Sequence, residues 1–463
     1  MLMDKFFKFL NSDRYQYTES EIYLKNNMEN QIAVFDIFLR TEKEKDYAIV
    51  YGISDVLELI DILNSTSYEE KKKYLSKILK NEDLTEYIAN MKFTGSVKGV
   101  RDGETVFTDE PILTIIAPLI QGKILETPIL NILNYQILTA TVTSKITLAA
   151  KDKEVLFFGT RRVPGFEASM AMTKASYIAG CISHSNIMGE YFYDLKSTGT
   201  MTHGYVQSFG TEKDSEYRAF DTFIKTCKDE KLPLIMLTDT YSVLKSGIHS
   251  AIRAFRDNNI NDDYEGIYGI RIDSGNLLNL SKKCREILDD EGFRKAKIIL
   301  TGGIDEGKIR RLMKQGVQAD MFGVGDAIAL PKKEISTVYK MSRIEQTDVM
   351  KISDDKGKMS YPGDKEIYRT YKNNNFFDVV TLKDEKEEME ILKKEKYRKL
   401  TLDFIIDGEK IEENIELLGL TETKRYYENN VFYLKEIYNE TQKRKRIRFS
   451  KGIKKLKEEL TKF

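Results

Sequence analysis

From Val155 onward the chain repeats one unit: a short unbroken apolar run, a polar or glycine-rich tip, then an amphipathic helical stretch. VLFF (155–158) leads to Gly159-Thr160-Arg161-Arg162, and YFYDL (191–195) leads to a tip that ends in Thr200-Met201-Thr202-His203. LPLIML (232–237) leads to Thr238-Asp239-Thr240-Tyr241, and IYGIRI (267–272) to Asp273-Ser274-Gly275. AKIIL (296–300) leads to Thr301-Gly302-Gly303, and MFGV (321–324) to Gly325-Asp326. Apolar runs that do not alternate are strands buried on both faces, hence parallel, and helices between them imply right-handed crossovers. Six such units, with 338–341 as a further strand, fit a β/α barrel that need not be complete. A doubly wound open sheet is the structural rival. In both folds the tips gather at the carboxyl ends of the strands, where active sites lie.

The first 125 residues read differently. Segments 31–40 (QIAVFDIFLR) and 46–51 alternate apolar and polar side chains, which predicts neighbouring strands. Helical spacing follows at 56–63, with Ser54 as its N-cap, and at 69–80. Short strands are expected at 93–100, 105–107 and 113–117, and a long helix over 123–147. The expected organisation is therefore an N-terminal α+β domain (1–125), a β/α barrel (126–345) and a small C-terminal accessory region (346–463) with strands near 376–382 and 399–407. Its basic run 443–448 reads as a solvated face opposite the acidic stretch 384–390, not as a nucleic-acid surface.

Bulk properties remove several function classes. Lys+Arg and Asp+Glu both number 73 among 463 residues, so charge gives no support for a nucleic-acid or membrane partner. The apolar start is too short for a signal peptide, and no apolar stretch approaches the ~20 residues of a membrane span. Cys181, Cys227 and Cys284 are far apart and form no Cys-x-x-Cys pair, which suits a reducing, cytoplasmic setting without a tightly bound metal.

The tips carry the chemistry. Stretch 196–204 packs four hydroxyl side chains, two glycines and His203 into one connection, where close backbone approach and exposed amides suit an anion. Taken alone, His203 is equally readable as a surface loop histidine. Arg161, Arg162 and Arg271 suit more than one anionic group, because guanidinium forks grip carboxylate and phosphate. Asp239 and Asp273 beside them suit ribose hydroxyls or a magnesium ion carried in by a diphosphate; the plainer reading of these arginines is a salt bridge at the barrel mouth. Gly302-Gly303 and Gly323-Val324-Gly325 close the last two strands, where barrels often seat a phosphate.

At these positions the chain resembles the nicotinate phosphoribosyltransferases. The shared pieces run in order: DRYQ (13–16), FDIFLR (35–40), PILTIIAPL (111–119), LETPILNILNYQILTA (125–140), GTRRVPGFEA (159–168) and Ser185-Asn186. GTMTH (199–203), DTY (239–241), GIRIDSGNL (269–277), GGIDE (302–306), GVG (323–325), VYK (338–340) and YPGDKEIYR (361–369) complete the series. The resemblance implies a type II phosphoribosyltransferase fold, with an N-terminal domain, an incomplete β/α barrel and a C-terminal extension. It implies transfer of the phosphoribosyl group of 5-phosphoribosyl 1-diphosphate to nicotinate, giving nicotinate mononucleotide and diphosphate in salvage toward NAD. ATP would be co-substrate, with Mg2+ accompanying ATP and diphosphate. His203 would be the phosphorylated residue, with Asp239 and Asp273 beside it in the catalytic set. Tyr15, Thr200 and Arg271 would contact nicotinate or its surroundings, with Arg161 and Arg162 as further anion ligands. Gly302, Gly303, Gly323, Gly325 and Asp326 would lie at phosphate, and Tyr15 would reach a partner subunit in a homodimer. Gly204 and Asp326 stand where the family commonly has serine and threonine. The rival readings are a nicotinamide-specific enzyme and a non-catalytic, nucleotide-sensing homologue.

Overall fold

The structure, a computed structural model, describes residues 6–41, 46–230, 232–332, 335–372, 375–440 and 445–462. The chain forms two compact units, one of residues 1–141 with 333–463 and one of residues 142–332. The division falls inside the helix Glu126–Ala150.

The first unit is built on a seven-stranded antiparallel sheet. An inner strand, Ile32–Thr41, pairs with Pro111–Pro118 on one side and with Ile335–Ile344 on the other. Seven consecutive residues of that strand, 33–39, are buried, so both faces are covered. The expectation of a barrel strand at 338–341 is therefore corrected: Tyr339 lies opposite Ile37 in this antiparallel sheet. Residues 346–463 are not set apart from residues 1–125 either. Leu402–Ile406 extends the same sheet beyond Ser96–Gly99. A buried ionic cluster adds a second tie. Arg369 Nη1 lies 2.6 Å from Glu104 Oε1, and its Nη2 lies 2.7 Å from Asp378 Oδ2. Arg398 reaches Glu104 at 2.9 Å. Burial alone would raise the Glu104 pKa, but Arg369 and Arg398 outweigh it and hold the carboxyl at about 2. Ion pairs of this kind cannot be exposed cheaply, so the two stretches of chain fold as one body.

Ser54 is not the cap of its helix, which spans Ile53–Ser65 and follows Gly52. The buried carboxylate of Asp102 accepts from the amides of Ile53 at 3.0 Å and Ser54 at 3.3 Å, so a distant side chain replaces the local cap. In the basic run, 443 and 444 lie outside the described residues, while Arg448 pairs with Glu388 at 2.6 Å, inside the acidic stretch expected to face it.

The second unit holds six parallel strands in the order Ser183–His184, Glu154–Phe157, Met321–Val324, Lys297–Leu300, Tyr268–Ile272, Leu234–Leu237. Chain order decides between the two folds left open by the sequence. The first strand pairs with both the second and the sixth, and the third to sixth pair in succession. A doubly wound sheet grows outward in two directions and keeps its ends apart; pairing of first with last is barrel closure. Only the second and third strands do not meet among the described residues, so the barrel is curled but incomplete. Its centre is filled by Leu156, Ile235, Ile299 and Met321, with Phe158 packed against them.

One expected strand gives way to a helix. YFYDL does not form a strand: Ile187–Tyr193 is a short helix capped by Asn186, whose side chain accepts from the Met188 amide. Tyr191 is 79% and Phe192 57% exposed, so these apolar residues belong to a surface rather than to the barrel wall. The second strand is the two-residue Ser183–His184.

Candidate active site

The carboxyl ends of the strands converge as the tip pattern requires. Tyr268–Ile272 delivers Arg271 and, one residue past its end, Asp273; Leu234–Leu237 delivers Asp239 and Thr240. His203 opens the short helix His203–Gln207, whose N-cap Thr202 accepts from the Tyr205 amide at 3.2 Å. Its ring is placed by three contacts. Nδ1 lies 3.1 Å from Thr240 Oγ1. Nε2 lies 3.9 Å from both Asp239 Oδ1 and Asp273 Oδ2. Each carboxylate is held in turn by a hydroxyl: Ser274 donates to Asp239 Oδ2 at 2.5 Å, and Thr301 donates to Asp273 Oδ1.

Arg271 donates from Nη1 to Thr200 Oγ1 at 3.0 Å, which fastens the histidine-bearing loop to the strand beside it. Its Nε is buried without a hydrogen-bond partner among the described residues, so the guanidinium keeps donor capacity for an anion. Burial draws its pKa down; Asp273 and Asp239 oppose that shift, and Arg161 adds to it. The structure thus gathers His203, Asp239, Arg271, Asp273 and Thr200 at one mouth, with the charge of Arg161 within reach. Arg162, more exposed, pairs with Asp326 at 3.0 Å. A carboxylate so engaged screens a cation from anions and repels phosphate, which sets Asp326 apart from the glycines grouped with it.

Those glycines divide by what surrounds them. A Cβ on Gly302, at φ +81°, would lie 1.7 Å from the Asp273 carbonyl oxygen, and one on Gly323 would lie 2.5 Å from Thr301 Cγ2. These two are small because neighbouring strand ends touch there. A Cβ on Gly303 or Gly325 would meet nothing closer than 3.6 Å, an ordinary van der Waals contact, so close packing does not explain these two and they are free to serve a phosphate. Lys308, not singled out by the sequence, donates to the Gly302 carbonyl at 2.8 Å and brings a cation to the same tip. Tyr15 belongs to the first unit, where Lys123 Nζ lies 5.0 Å from its ring centroid. Glu216 is a further residue that the sequence does not single out. Its carboxylate is buried, and burial first, with the charge of Asp239, raises its pKa against the opposing effect of the Ser246 hydroxyl. Its helical setting (SEYRAFDTFIKTC) gives no sign that it points inward toward the strand ends.

The curled half-barrel has the fold of the type II phosphoribosyltransferases, and arginines, two aspartates and a histidine stand at its carboxyl rim. Comparison with known proteins gives the narrower assignment. Residues 10–134 match the nicotinate phosphoribosyltransferase (NAPRTase) N-terminal domain, and 147–393 match the nicotinate phosphoribosyltransferase (NAPRTase) family. Nicotinate phosphoribosyltransferase of Bacillus subtilis (strain 168) is 35% identical over 387 residues, covering 81% of this chain and 76% of its own length. Nicotinate phosphoribosyltransferase pncB2 of Mycobacterium tuberculosis is 31% identical over 369 residues, 79% of this chain and 76% of that protein. The crystal structure of human nicotinic acid phosphoribosyltransferase superposes with a TM-score of 0.76 over 100% of both chains at 19% identity. That of nicotinate-nucleotide pyrophosphorylase from Pyrococcus furiosus does so with 0.74, at 22% identity, over 94% of this chain and 97% of the other. The chain belongs to the nicotinate phosphoribosyltransferase family.

Proposed function

We propose that this protein transfers the phosphoribosyl group of 5-phosphoribosyl 1-diphosphate to nicotinate, releasing nicotinate mononucleotide and diphosphate, and couples the transfer to ATP hydrolysis through phosphorylation of His203. The observation that carries this reading is the convergence of His203, Asp239, Asp273 and Arg271 at one rim. Cleavage of the C1–diphosphate bond passes through an oxocarbenium-like state, so the protein must position charges rather than supply a strong base. The ring nitrogen of nicotinate attacks unaided. Arg271, desolvated and short of one partner, fixes the carboxylate and so favours the acid over the amide. Gly303, Gly325 and Lys308 hold phosphate at the last two strand ends.

The donor set fits Mg2+ brought in with the diphosphate and with ATP: Asp239 Oδ1 is a buried carboxylate oxygen without a hydrogen-bond partner among the described residues, and Asp273 Oδ2 lies near it. Asp239 and Asp273 would hold the ion, which when bound neutralises phosphate charge. A homodimer is favoured by the exposed apolar side chains Phe166, Ile187, Tyr191 and Phe192, all at least 57% exposed. Tyr15, 43% exposed, is the residue we assign to the partner's site. No helix among the described residues is long and apolar enough to cross a membrane; a cytoplasmic setting is our reading of three cysteines far apart in sequence with no Cys-x-x-Cys pair. The test is incubation with 5-phosphoribosyl 1-diphosphate, Mg2+ and either nicotinate or nicotinamide, with and without ATP, following mononucleotide and diphosphate. Mononucleotide from the acid, faster with ATP, is the expected result. Preference for the amide would establish the nicotinamide enzyme, and absence of diphosphate release with every substrate present would establish a sensor.

A further inference from the structure

Three hydroxyl side chains divide the atoms around His203 by a single rule. Thr240 takes one ring nitrogen, Ser274 takes one oxygen of Asp239, and Thr301 takes one oxygen of Asp273. The atoms left over are Nε2, Asp239 Oδ1 and Asp273 Oδ2, and each of these two oxygens lies 3.9 Å from Nε2. At that distance neither carboxylate oxygen is within hydrogen-bond reach of Nε2, whereas Thr240 Oγ1 is within reach of Nδ1. A ring proton is therefore better satisfied on Nδ1, and the Nε2 lone pair is left without a donor.

We propose that Thr240 is the positioning residue for the phosphoryl acceptor: by accepting the Nδ1 proton it fixes the ring and its tautomer, so that Nε2 is the atom phosphorylated. The inference rests on the phosphohistidine reading given above. In the step it governs, the Nε2 lone pair attacks the γ-phosphorus of ATP, and the bond between γ-phosphorus and the β–γ bridging oxygen breaks. ADP leaves with that electron pair. The Nδ1 proton stays in place, shared with Thr240, so the phosphorylated ring is cationic and faces Asp239 and Asp273. On hydrolysis water attacks phosphorus, the N–P electrons return to Nε2, and inorganic phosphate departs. An imidazole without this tether presents either nitrogen by rotation or tautomer exchange.

The test is made on the full-length protein. Labelling with ATP and Mg2+, followed by alkaline hydrolysis and separation of the two phosphohistidine isomers, is expected to give the Nε2 isomer alone in the wild type. Thr240→Val should slow labelling about tenfold, equivalent to about 1.4 kcal/mol, and yield a mixture of isomers. Thr240→Ser, which restores the hydroxyl, should restore both rate and isomer. Circular dichroism and the unfolding midpoint establish that the valine variant is folded. Pure Nε2 isomer at the wild-type rate from Thr240→Val would overturn the proposal, as would Nδ1 phosphorylation in the wild type. If the wild type takes up no phosphate at all, the ATP-coupled reading fails, and the positioning claim is decided separately by 15N NMR of histidine-labelled protein. There, with the ring neutral, His203 should carry its proton on Nδ1 in the wild type and on Nε2 in Thr240→Val; the same tautomer in both would overturn it.

Discussion

Glu104→Gln isolates one charge in the buried cluster that joins the two stretches of the first unit. Glu104 is 1% exposed, with Arg369 and Arg398 on its oxygens and the Tyr426 hydroxyl donating to Oε2. The near-isosteric amide keeps the volume and removes the charge, leaving Arg369 with Asp378 and Arg398 with the Tyr426 hydroxyl. Two independent routes give the cost. Breaking one partner of a buried pair costs about 3–5 kcal/mol. A carboxyl moved from 4.5 to about 2 in the folded state carries about 3 kcal/mol at neutral pH. The sign follows from the lowered pKa: this stability is complete above the unfolded value and is lost as pH falls through the folded one. Glu110 and Asp378 have pKa values raised first by burial, and the Glu104 charge adds to the Asp378 shift, so the difference between the two proteins reports Glu104 together with its coupling to Asp378. Chemical unfolding of both proteins from pH 7.5 to pH 3 should give a gap of about 3 kcal/mol that holds down to about pH 5 and then shrinks toward pH 3. A gap that stays constant across that range would refute the electrostatic account and leave only a packing defect.

The other predictions concern the rim. Arg271→Gln should lower kcat/KM for nicotinate about 10- to 100-fold, the loss of one charged hydrogen bond of about 1.5–3 kcal/mol, while nicotinamide turnover changes little; an equal loss for both substrates in steady-state assays would show that Arg271 does not read the carboxylate. Asp326→Asn should leave the unfolding midpoint nearly unchanged, because its pair with Arg162 is more than half exposed, and should lower KM for 5-phosphoribosyl 1-diphosphate several-fold, since a like charge leaves and Arg162 is released. A higher KM would show that the ion pair organises the site. Gly302→Ala should push its Cβ into the Asp273 carbonyl, destabilising the protein by roughly 1–3 kcal/mol and displacing Asp273, seen as loss of kcat together with a lower midpoint in thermal unfolding.

The barrel was legible because burial on both faces writes itself as unbroken apolar runs, and five of the six runs named are strands. The sixth failed for the same reason. YFYDL has the composition of a buried strand but lies largely on an exposed helix, and composition does not say which apolar residues face water. The true second strand, two residues long, is too short to leave a pattern. Residues 335–344 misled in another way: a strand that follows the last barrel unit pairs with residues 32–41, and pairing over some three hundred positions has no local signature. Of the site, the charged members were legible because arginine, aspartate and histidine at successive strand tips form a set that surface solvation alone does not require. The hydroxyls that orient them sit on those same tips, but threonine and serine are common at strand ends for capping and solubility. Only the folded chain reveals that Thr240, Ser274 and Thr301 each take one atom of a functional partner.

The gap in the barrel and the position of His203 share one cause. In chain order the second and third strands are the pair left unjoined, and the residues between them carry the loop with Thr200 and His203. At one edge of the opening His184 bridges to Ser197, and the Thr198 amide donates to the His184 carbonyl at 2.7 Å. At the other edge Thr240 and Asp239 leave the third strand and meet the imidazole. Arg271, one strand further round, fastens Thr200. The loop is thus tied to both sides of the opening, in part through side chains that we assign to the substrate site. A closed barrel would have a strand pair here and no room for such a segment. In the proposed step the phosphoryl group on His203 would carry negative charge beside a cationic ring, acting on Arg271 and on the two aspartates together. Under the proposed reaction, phosphate on this histidine would bear on the side chain we assign to the nicotinate carboxylate through the Thr200–Arg271 hydrogen bond.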